Sequence, residues 1–383
     1  MKRKDFLVFG SPMIEQPEID EVVDSMKSGW LGTGPKVARF EQMFREYKGA
    51  KYAMAVSSCT AALHLSMLAI GIQPGDEVIV PAMTFTATAS AVIHCGGVPV
   101  FVDCEKDTMN MAPVDVERKI TSKTKAIIPV HFAGRACDMD SIMDIARRRD
   151  LKVVEDCAHA IETEYRGQKA GTIGDIGCFS FYVTKNIVTG EGGMAITNDA
   201  KYASMIKTMA LHGLTKDAWN RFGDAGYNHY GVVFAGYKYN MTDMQAAIGI
   251  HQLPRIERYW ERRREIWNKY SAEFESLPLF IPPSADLNTK HSHHLYTVLL
   301  DTENLAISRD EFLDRMTERK IGVGVHYIAL HMQPYYQATY NYKLGSFPNS
   351  EWISKRTVSL PLSAKLTDDD IQDVIDAVHE TLE

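Results

Sequence analysis

The sequence predicts an α/β protein: a large, mainly parallel sheet sandwiched by helices, followed by a smaller C-terminal α+β domain. Three observations carry this. Short apolar runs of strand length alternate with helical stretches through the first half, as strands buried on both faces do. At 383 residues the chain is too long for one small core, so a large and a smaller domain are expected. The character changes after Asn240, where charged helices replace the alternation. The boundary is placed between 254 and 255, giving a large domain over 1–254 and a small one over 255–383.

In chain order, residues 15–28 show helical apolar spacing and stop at Gly29. Gly29-Trp30-Leu31-Gly32-Thr33-Gly34-Pro35 is a loop, and a helix follows to about Tyr47. Strands are expected over 53–56, 78–80, 99–102, 126–130, 152–154 and 177–181, with helices between most of them at 60–70, 84–94 and 139–148. Ligands of such sheets bind beyond the carboxyl ends of the strands, so several loops should meet at one crevice. Helices follow over 241–252 and 255–277; the arginines of the second read as a solvated face. A loop at 278–289, a strand at 294–300, a helix at 309–320, a strand at 322–326 and a last helix at 368–382 complete the chain.

Composition excludes several classes. Hydrophobic residues at 45% and charged residues at 24% are ordinary for a globular protein. A net charge of −7 lacks the basic footprint of a nucleic-acid binder. No run is long and apolar enough to span a bilayer, so no membrane association is expected. The start, MKRKDFLVFGSPM, has too short an apolar stretch for a signal peptide and reads as mature protein. The six cysteines form no C-x-x-C pair and lie in apolar surroundings. Reduced thiols of a cytoplasmic protein are the natural reading.

Four stretches could carry chemistry. Lys185 stands between the apolar run Ser180-Phe181-Tyr182 and the glycine-rich Gly190-Glu191-Gly192-Gly193. A lysine at a strand end can form a Schiff base if its surroundings lower its pKa; taken alone, it reads as a surface lysine after a strand. Val153-Val154-Glu155-Asp156-Cys157-Ala158-His159-Ala160 delivers Asp156 to the crevice. A carboxylate there can hold a protonated ring nitrogen, as pyridoxal phosphate requires, or cap a helix. Ser57-Ser58-Cys59-Thr60-Ala61-Ala62-Leu63-His64 is a hydroxyl-rich turn into a helix, suited to a phosphate or simply capped by Ser and Thr. In Pro81-Ala82-Met83-Thr84-Phe85-Thr86-Ala87-Thr88, Phe85 could stack on a flat ring or belong to the core. Gly171-Thr172-Ile173-Gly174-Asp175-Ile176-Gly177 precedes a strand with the wrong spacing for a dinucleotide fingerprint, and there is no Walker A motif. The run His291-Ser292-His293-His294 has no acidic or cysteine neighbour in sequence, and a metal is not expected there.

Together these stretches resemble the DegT/DnrJ/StrS family of sugar aminotransferases, among the fold-type I pyridoxal phosphate enzymes. The resemblance covers almost the whole chain. Besides the stretches above it includes Pro129-Val130-His131-Phe132-Ala133-Gly134, Gly236-Tyr237-Lys238-Tyr239-Asn240 and Val325-His326-Tyr327. It implies that Lys185 carries pyridoxal 5′-phosphate as a Schiff base and that Asp156 pairs with the pyridine nitrogen. His159, where other members often have Gln, would lie near the ring's phenolic oxygen. Cys59, Thr60, Ala61 and Ser180 would hold the phosphate, Phe85 would stack on the ring, and Asn240 would reach the site of a second subunit. A homodimer with shared sites follows.

Lys185 separates the chain from relatives that are dehydratases and carry histidine there. Leu211-His212-Gly213-Leu214-Thr215-Lys216-Asp217-Ala218-Trp219-Asn220-Arg221 resembles the branch that aminates C4 of nucleotide-linked sugars, as in the 4-amino-4-deoxy-L-arabinose and bacillosamine-type enzymes. The implied reaction moves an amino group from L-glutamate, through the pyridoxamine 5′-phosphate form of the cofactor, to a UDP-linked 4-keto hexose or pentose. Thr33, His326, Tyr327 and Arg221 are the candidate substrate contacts. Amination at C3 or of a keto-cyclitol, and a non-catalytic cofactor-binding regulator, are the alternatives.

Overall fold

The computed structural model describes residues 3–214 and 231–382. Helix α1 (Gln16–Ser28) stops where Gly29 turns left-handed at φ 79°, as the sequence predicts. Helix α2 (Pro35–Lys48) begins on a proline, whose missing N–H costs nothing in a first turn. Then β1 (Tyr52–Val56), α3 (Cys59–Ala69), β2 (Glu77–Pro81), α4 (Thr86–His94), β3 (Val98–Val102), α5 (Pro113–Lys119), β4 (Thr124–Ile127), α6 (Met139–Arg149) and β5 (Lys152–Asp156) alternate strand with helix. A small hairpin, β6 (Glu164–Tyr165) and β7 (Gln168–Lys169), precedes β8 (Ile176–Ser180) and β9 (Gly193–Thr197). Helices α7 (Ala200–Met209), α8 (Asp243–Gln252) and α9 (Ile256–Phe274) follow.

The main sheet has the order β1-β9-β8-β5-β4-β2-β3. All its strands run parallel except β9, which is antiparallel to both neighbours. β9 is an addition to the expected set. Its apolar run follows the Gly190–Gly193 turn directly, with nothing in the local pattern to mark where the turn ends. Because β9 is reversed, its first residue, Gly193, lies among the carboxyl ends of the other strands, opposite Val56 on one side and Ser180 on the other.

Strand alternation decides what each face offers. Phe179 and Phe181 point under α2, where they meet Phe44 and Phe40 edge-on at 5.0 and 5.1 Å between ring centroids. Cys178 therefore faces α3, with its Sγ 3.3 Å from Ser66 Oγ, and Ser180 shares that side.

One carboxylate ties α8 to α2. Asp243, sealed from solvent, accepts from the amides of Gly34 (2.8 Å), Val37 (3.0 Å) and Lys36 (3.1 Å). Its own amide donates to Gly32 O at 2.7 Å. A β-carbon on Gly34 would come within 2.7 Å of this carboxylate, which is why the loop needs glycine there.

The last part of the chain builds β10 (Leu279–Phe280), β11 (Thr289–Lys290), β12 (Tyr296–Leu300), α10 (Arg309–Glu318), α11 (Pro334–Tyr340), α12 (Pro348–Ser354), β13 (Thr357–Leu360) and α13 (Asp368–Leu382). Strands β10-β12-β13 form a second sheet, whose core includes Trp267, Tyr270, Tyr296, Phe312 and Val374. We propose the boundary between the two units at 254/255, on the turn Leu253–Arg255 that leads into α9. The strand expected over 322–326 is absent. Gly322 pairs with Leu7 and Gly324 with Ser359, so the backbone is divided between two partners and no ladder extends. The expected loop at 278–289 carries β10 and the start of β11 at its ends.

The arginines of α9 are not one solvated face. Arg255 pairs with Glu15 and Glu18, and Arg262 with Asp368. Arg263 is 3% exposed and pairs with the buried Glu162.

Candidate active site

The carboxyl ends of β1, β5 and β8 gather the residues singled out from sequence. Strand β5 ends on Asp156, whose carboxylate is buried and held from two sides. Thr88 Oγ1, on α4, donates to Oδ2 at 2.8 Å, and the Ala158 amide donates to Oδ1 at 3.1 Å. Burial pushes the Asp156 pKa up; those two donors and the Lys185 ammonium pull it back. Its neighbour Glu155 faces away and joins a different network: it accepts from the amides of Gly171, Ile173 and Gly174 and is 3.0 Å from His131 Nε2. Cys157 completes a trio with these two that could hold a metal ion, but the Glu155 oxygens are already engaged by four donors.

Lys185 follows β8 on a turn in which its amide donates to Tyr182 O at 2.8 Å. Burial lowers its pKa to about 8, and the groups that oppose this are Cys59 and Asp156. Each of Lys185 and Asp156 is among the charges that shift the other's pKa, and Lys185 itself is half-buried.

Ser58 is the N-cap of α3 and accepts from the Ala61 amide at 3.1 Å. The capping alternative is therefore realised, with the Ala61 N–H donating to its cap. The amides of Cys59 and Thr60 remain among the orphan donors of the first turn, with the Thr60 hydroxyl beside them. Gly193 makes this possible. A β-carbon there would lie 2.3 Å from Ser58 C and 2.6 Å from Cys59 N, so only glycine lets β9 pass under the start of α3.

Phe85, the N-cap residue of α4, keeps 58% of its surface exposed, so the core-aromatic alternative does not hold. Its ring lies 6.1 Å from that of Tyr327. Both line a cleft of about 830 Å³ that also takes in Thr86, Tyr335 and Tyr336. Tyr327 Oη is 3.2 Å from His159 Nε2, and His159 Nδ1 accepts from the Ala133 amide at 3.2 Å. A neutral imidazole that accepts at Nδ1 carries its proton on Nε2. His159 is neutral, because burial and the nearby Lys185 charge push its pKa well below the usual range. Its Nε2–H thus donates to Tyr327, and the tyrosine's own hydroxyl hydrogen is left for another acceptor. His326 packs on Phe9 and is 2.9 Å from Ser359 Oγ; burial lowers its pKa to about 4.

Thr33 and Asn240 sit together, with Asn240 paired antiparallel to Val56 at the end of β1. Asn240 Nδ2 donates to Thr33 Oγ1 at 2.6 Å, and Thr33 Oγ1 donates to Met241 O at 2.5 Å. Arg221 and most of the stretch quoted with it lie outside the described residues. The chain's design also includes residues that sequence reading left without a role: Thr88, Glu162, Asn186 and His294. Thr88 lay inside a quoted stretch, and Asn186 is next to Lys185. His294 lay inside a quoted run but without a role, and Glu162 gave no local signal, since their partners are distant in sequence.

A parallel sheet with one reversed strand, and a half-buried lysine, a buried carboxylate and a helix N-terminus at the same strand ends, define a fold-type I pyridoxal phosphate aminotransferase. The chain belongs to the DegT/DnrJ/EryC1/StrS aminotransferase family, whose model matches residues 12–379. It is 46% identical over 380 residues to the spore coat polysaccharide biosynthesis protein SpsC of Bacillus subtilis, covering 99% of this chain and 98% of that one. Among solved structures it resembles the putative sugar aminotransferase Spr1654 of Streptococcus pneumoniae in its PMP form, with a TM-score of 0.91, 32% identity and 98% of each chain covered. It also resembles PseC of Helicobacter pylori, an aminotransferase involved in pseudoaminic acid biosynthesis, with a TM-score of 0.90, 27% identity and 99% of each chain covered. The protein is a sugar aminotransferase that uses pyridoxal phosphate.

The residues present fit that cofactor. Asp156 is a buried carboxylate with hydroxyl and amide donors but no ion-pair partner among the hydrogen bonds it makes, a place for a cationic ring nitrogen. The Cys59 and Thr60 amides and the Thr60 and Ser180 hydroxyls can serve a phosphate. No helix among the described residues is long and apolar enough to cross a membrane.

Proposed function

We propose that this enzyme transfers the amino group of L-glutamate to a nucleotide-linked 4-keto sugar, a UDP-linked hexose or pentose, giving 2-oxoglutarate and the 4-amino sugar nucleotide. The observation that carries the reading is the convergence of Lys185, Asp156 and the start of α3 at the carboxyl ends of β8, β5 and β1. Pyridoxal phosphate supplies an electron sink for the pair left when a C–H bond next to nitrogen breaks, and carries the nitrogen between the two half-reactions.

The chain's own residues do the rest. Lys185 Nζ would hold the cofactor covalently and, when free, would move one proton within each half-reaction, from the donor's α-carbon to the cofactor in the first and from the cofactor to the sugar carbon in the second. A pKa of about 8 suits both tasks near neutral pH. Asp156 keeps the pyridine nitrogen protonated. The Cys59 and Thr60 amides with the Thr60 and Ser180 hydroxyls hold the phosphate, and Phe85 covers the ring. His159 stands by the phenolic oxygen, and Tyr327 and His326 meet the sugar. Asn240 serves the phosphate side of a partner's site in a homodimer, and Thr33, bonded to it, is a further contact to the sugar. Six unpaired thiols support a cytoplasmic setting.

The test is product analysis with glutamate and a panel of 3-keto and 4-keto sugar nucleotides. The expected result is amination at C4 that disappears in Lys185→Ala. Full turnover by Lys185→Ala, or a preference for 3-keto substrates, overturns the reading.

A further inference from the structure

We propose that His294 is a sugar-binding residue: its Nε2, kept unprotonated by a buried relay, accepts a hydrogen bond from a hydroxyl of the keto sugar. The inference rests on the function proposed above and assigns a role to one histidine of the His291-Ser292-His293-His294 run. The other two are accounted for by packing. His291 and His293 lie against Trp267, at 4.8 and 4.9 Å between ring centroids, and His291 Nδ1 accepts from the His293 amide at 2.8 Å.

His294 differs. Its amide donates to Ala133 O at 3.1 Å, while the Ala133 amide holds His159, so one residue seats both rings. The two rings lie 4.5 Å apart. The His294 Nδ1 is 2.9 Å from Asn186 Oδ1. Asn186 is oriented by its amide nitrogen, which donates to Glu162 Oε2 at 2.8 Å and to Ser292 O at 3.2 Å. Glu162 is in turn fixed by Arg263. The Asn186 oxygen is therefore an acceptor, and His294 must present Nδ1–H to it. The neutral ring then carries a lone pair on Nε2.

That nitrogen has no partner among the described residues, and it is not one of the sealed unpartnered ring nitrogens, His64 Nε2, His293 Nδ1 and His331 Nδ1. The ring contact with His159, whose Nε2 is 3.2 Å from Tyr327 Oη, sets this imidazole beside the cleft, and after burial the Lys185 ammonium is the largest influence on it.

A lone pair there selects its ligand by chemistry. Glutamate, once its nitrogen is engaged, offers only carboxylates, which accept and do not donate. A sugar offers hydroxyls, each a donor. With Tyr327 contributing a free hydroxyl hydrogen nearby, the pair presents one acceptor and one donor.

Two substitutions and one spectrum test this. His294→Asn keeps a short amide able to donate to Asn186 but has nothing at the position of Nε2. His294→Gln places an amide oxygen near that position. Each half-reaction is followed separately in single turnover by the cofactor's absorbance, with glutamate or with the keto sugar that the wild type converts best. His294→Asn is expected to slow the sugar half-reaction about tenfold more than the glutamate half-reaction, the worth of about one hydrogen bond, and His294→Gln to recover part of that difference. Equal effects on both half-reactions, or a more severe loss in Gln than in Asn, overturn the proposal, since they mark a structural role. Independently, nitrogen NMR of the cofactor-free protein is expected to show the His294 proton on Nδ1; a proton on Nε2 overturns it whatever the substrate proves to be. A wild type that reacts with glutamate but with no keto sugar nucleotide defeats the substrate reading instead, and the tautomer still decides the assignment of His294.

Discussion

Replacing Gly193 by alanine tests the link between the reversed strand and the cofactor cradle. The new methyl would sit 2.3 Å from Ser58 C, 2.5 Å from Ser58 O and 2.6 Å from Cys59 N. These are backbone atoms, so no rotamer change relieves the clash. Restoring contact distance needs a shift of about 1 Å, and β9 cannot yield because Gly193 is paired to Val56 and Ser180 on its two sides. The first turn of α3 must move. Overpacking of this kind costs about 1–3 kcal/mol of stability. A cradle displaced by about 1 Å exceeds the tolerance of about 0.5 Å for a preorganised site. Losing one charge-assisted bond to the phosphate, about 1.5–3 kcal/mol, lowers cofactor affinity by about ten- to a hundredfold. Urea denaturation of the cofactor-free protein gives the first quantity, and absorbance titration with pyridoxal phosphate the second. Gly190→Ala is the control. It strains a left-handed turn at φ 80° but meets no atom within 4 Å, so it should cost about 1 kcal/mol of stability and leave affinity within about twofold. A folded Gly193→Ala that binds the cofactor like the wild type refutes the reasoning, as does an equal loss of affinity in the control.

Two further outcomes follow from buried charge. Glu162→Gln leaves the Arg263 guanidinium without its anion in a sealed position, and should lower stability by about 3–5 kcal/mol in urea; a change below about 1 kcal/mol would mean that the pair is not buried as described. For Lys185, burial lowers the folded pKa to about 8 from an ordinary 10.5. Between those values the unfolded chain holds a proton that the folded chain has released, so the lysine's contribution to stability rises with pH. In cofactor-free protein the stability advantage of Lys185→Met over wild type should therefore shrink from about pH 7 to about pH 10, and a constant difference contradicts a lowered pKa.

The parallel strands and their helices were legible because each is a short apolar run bounded by turn residues, as at Lys152–Asp156 and Ile176–Ser180. Asp156 and Ser180 were legible because they end such runs. What sequence could not show is pairing across distance. β9 becomes a strand only between β1 and β8. The segment over 322–326 has strand-like residues, yet its hydrogen bonds go to Leu7 and to Ser359. Thr88 looks like any helix threonine until β5 brings Asp156 to it, and His294 looks like its neighbours until Asn186 fixes its tautomer. The buried Arg263 stands between the half-buried Arg262 and the exposed Arg264 and differs from them by the side of α9 on which it falls.

The Asp243 carboxylate has a consequence for how such an enzyme can diverge. Because it fastens the Gly32–Val37 turn to the start of α8, Thr33 and Asn240 are presented as a preassembled couple. Their spacing is set by a third residue that hydrogen-bonds to the side chain of neither. A lineage can therefore not retune one arm of the couple alone. Exchange of the turn without α8, or of α8 without the turn, orphans three amides at once, so the two segments, some two hundred residues apart, form one heritable module.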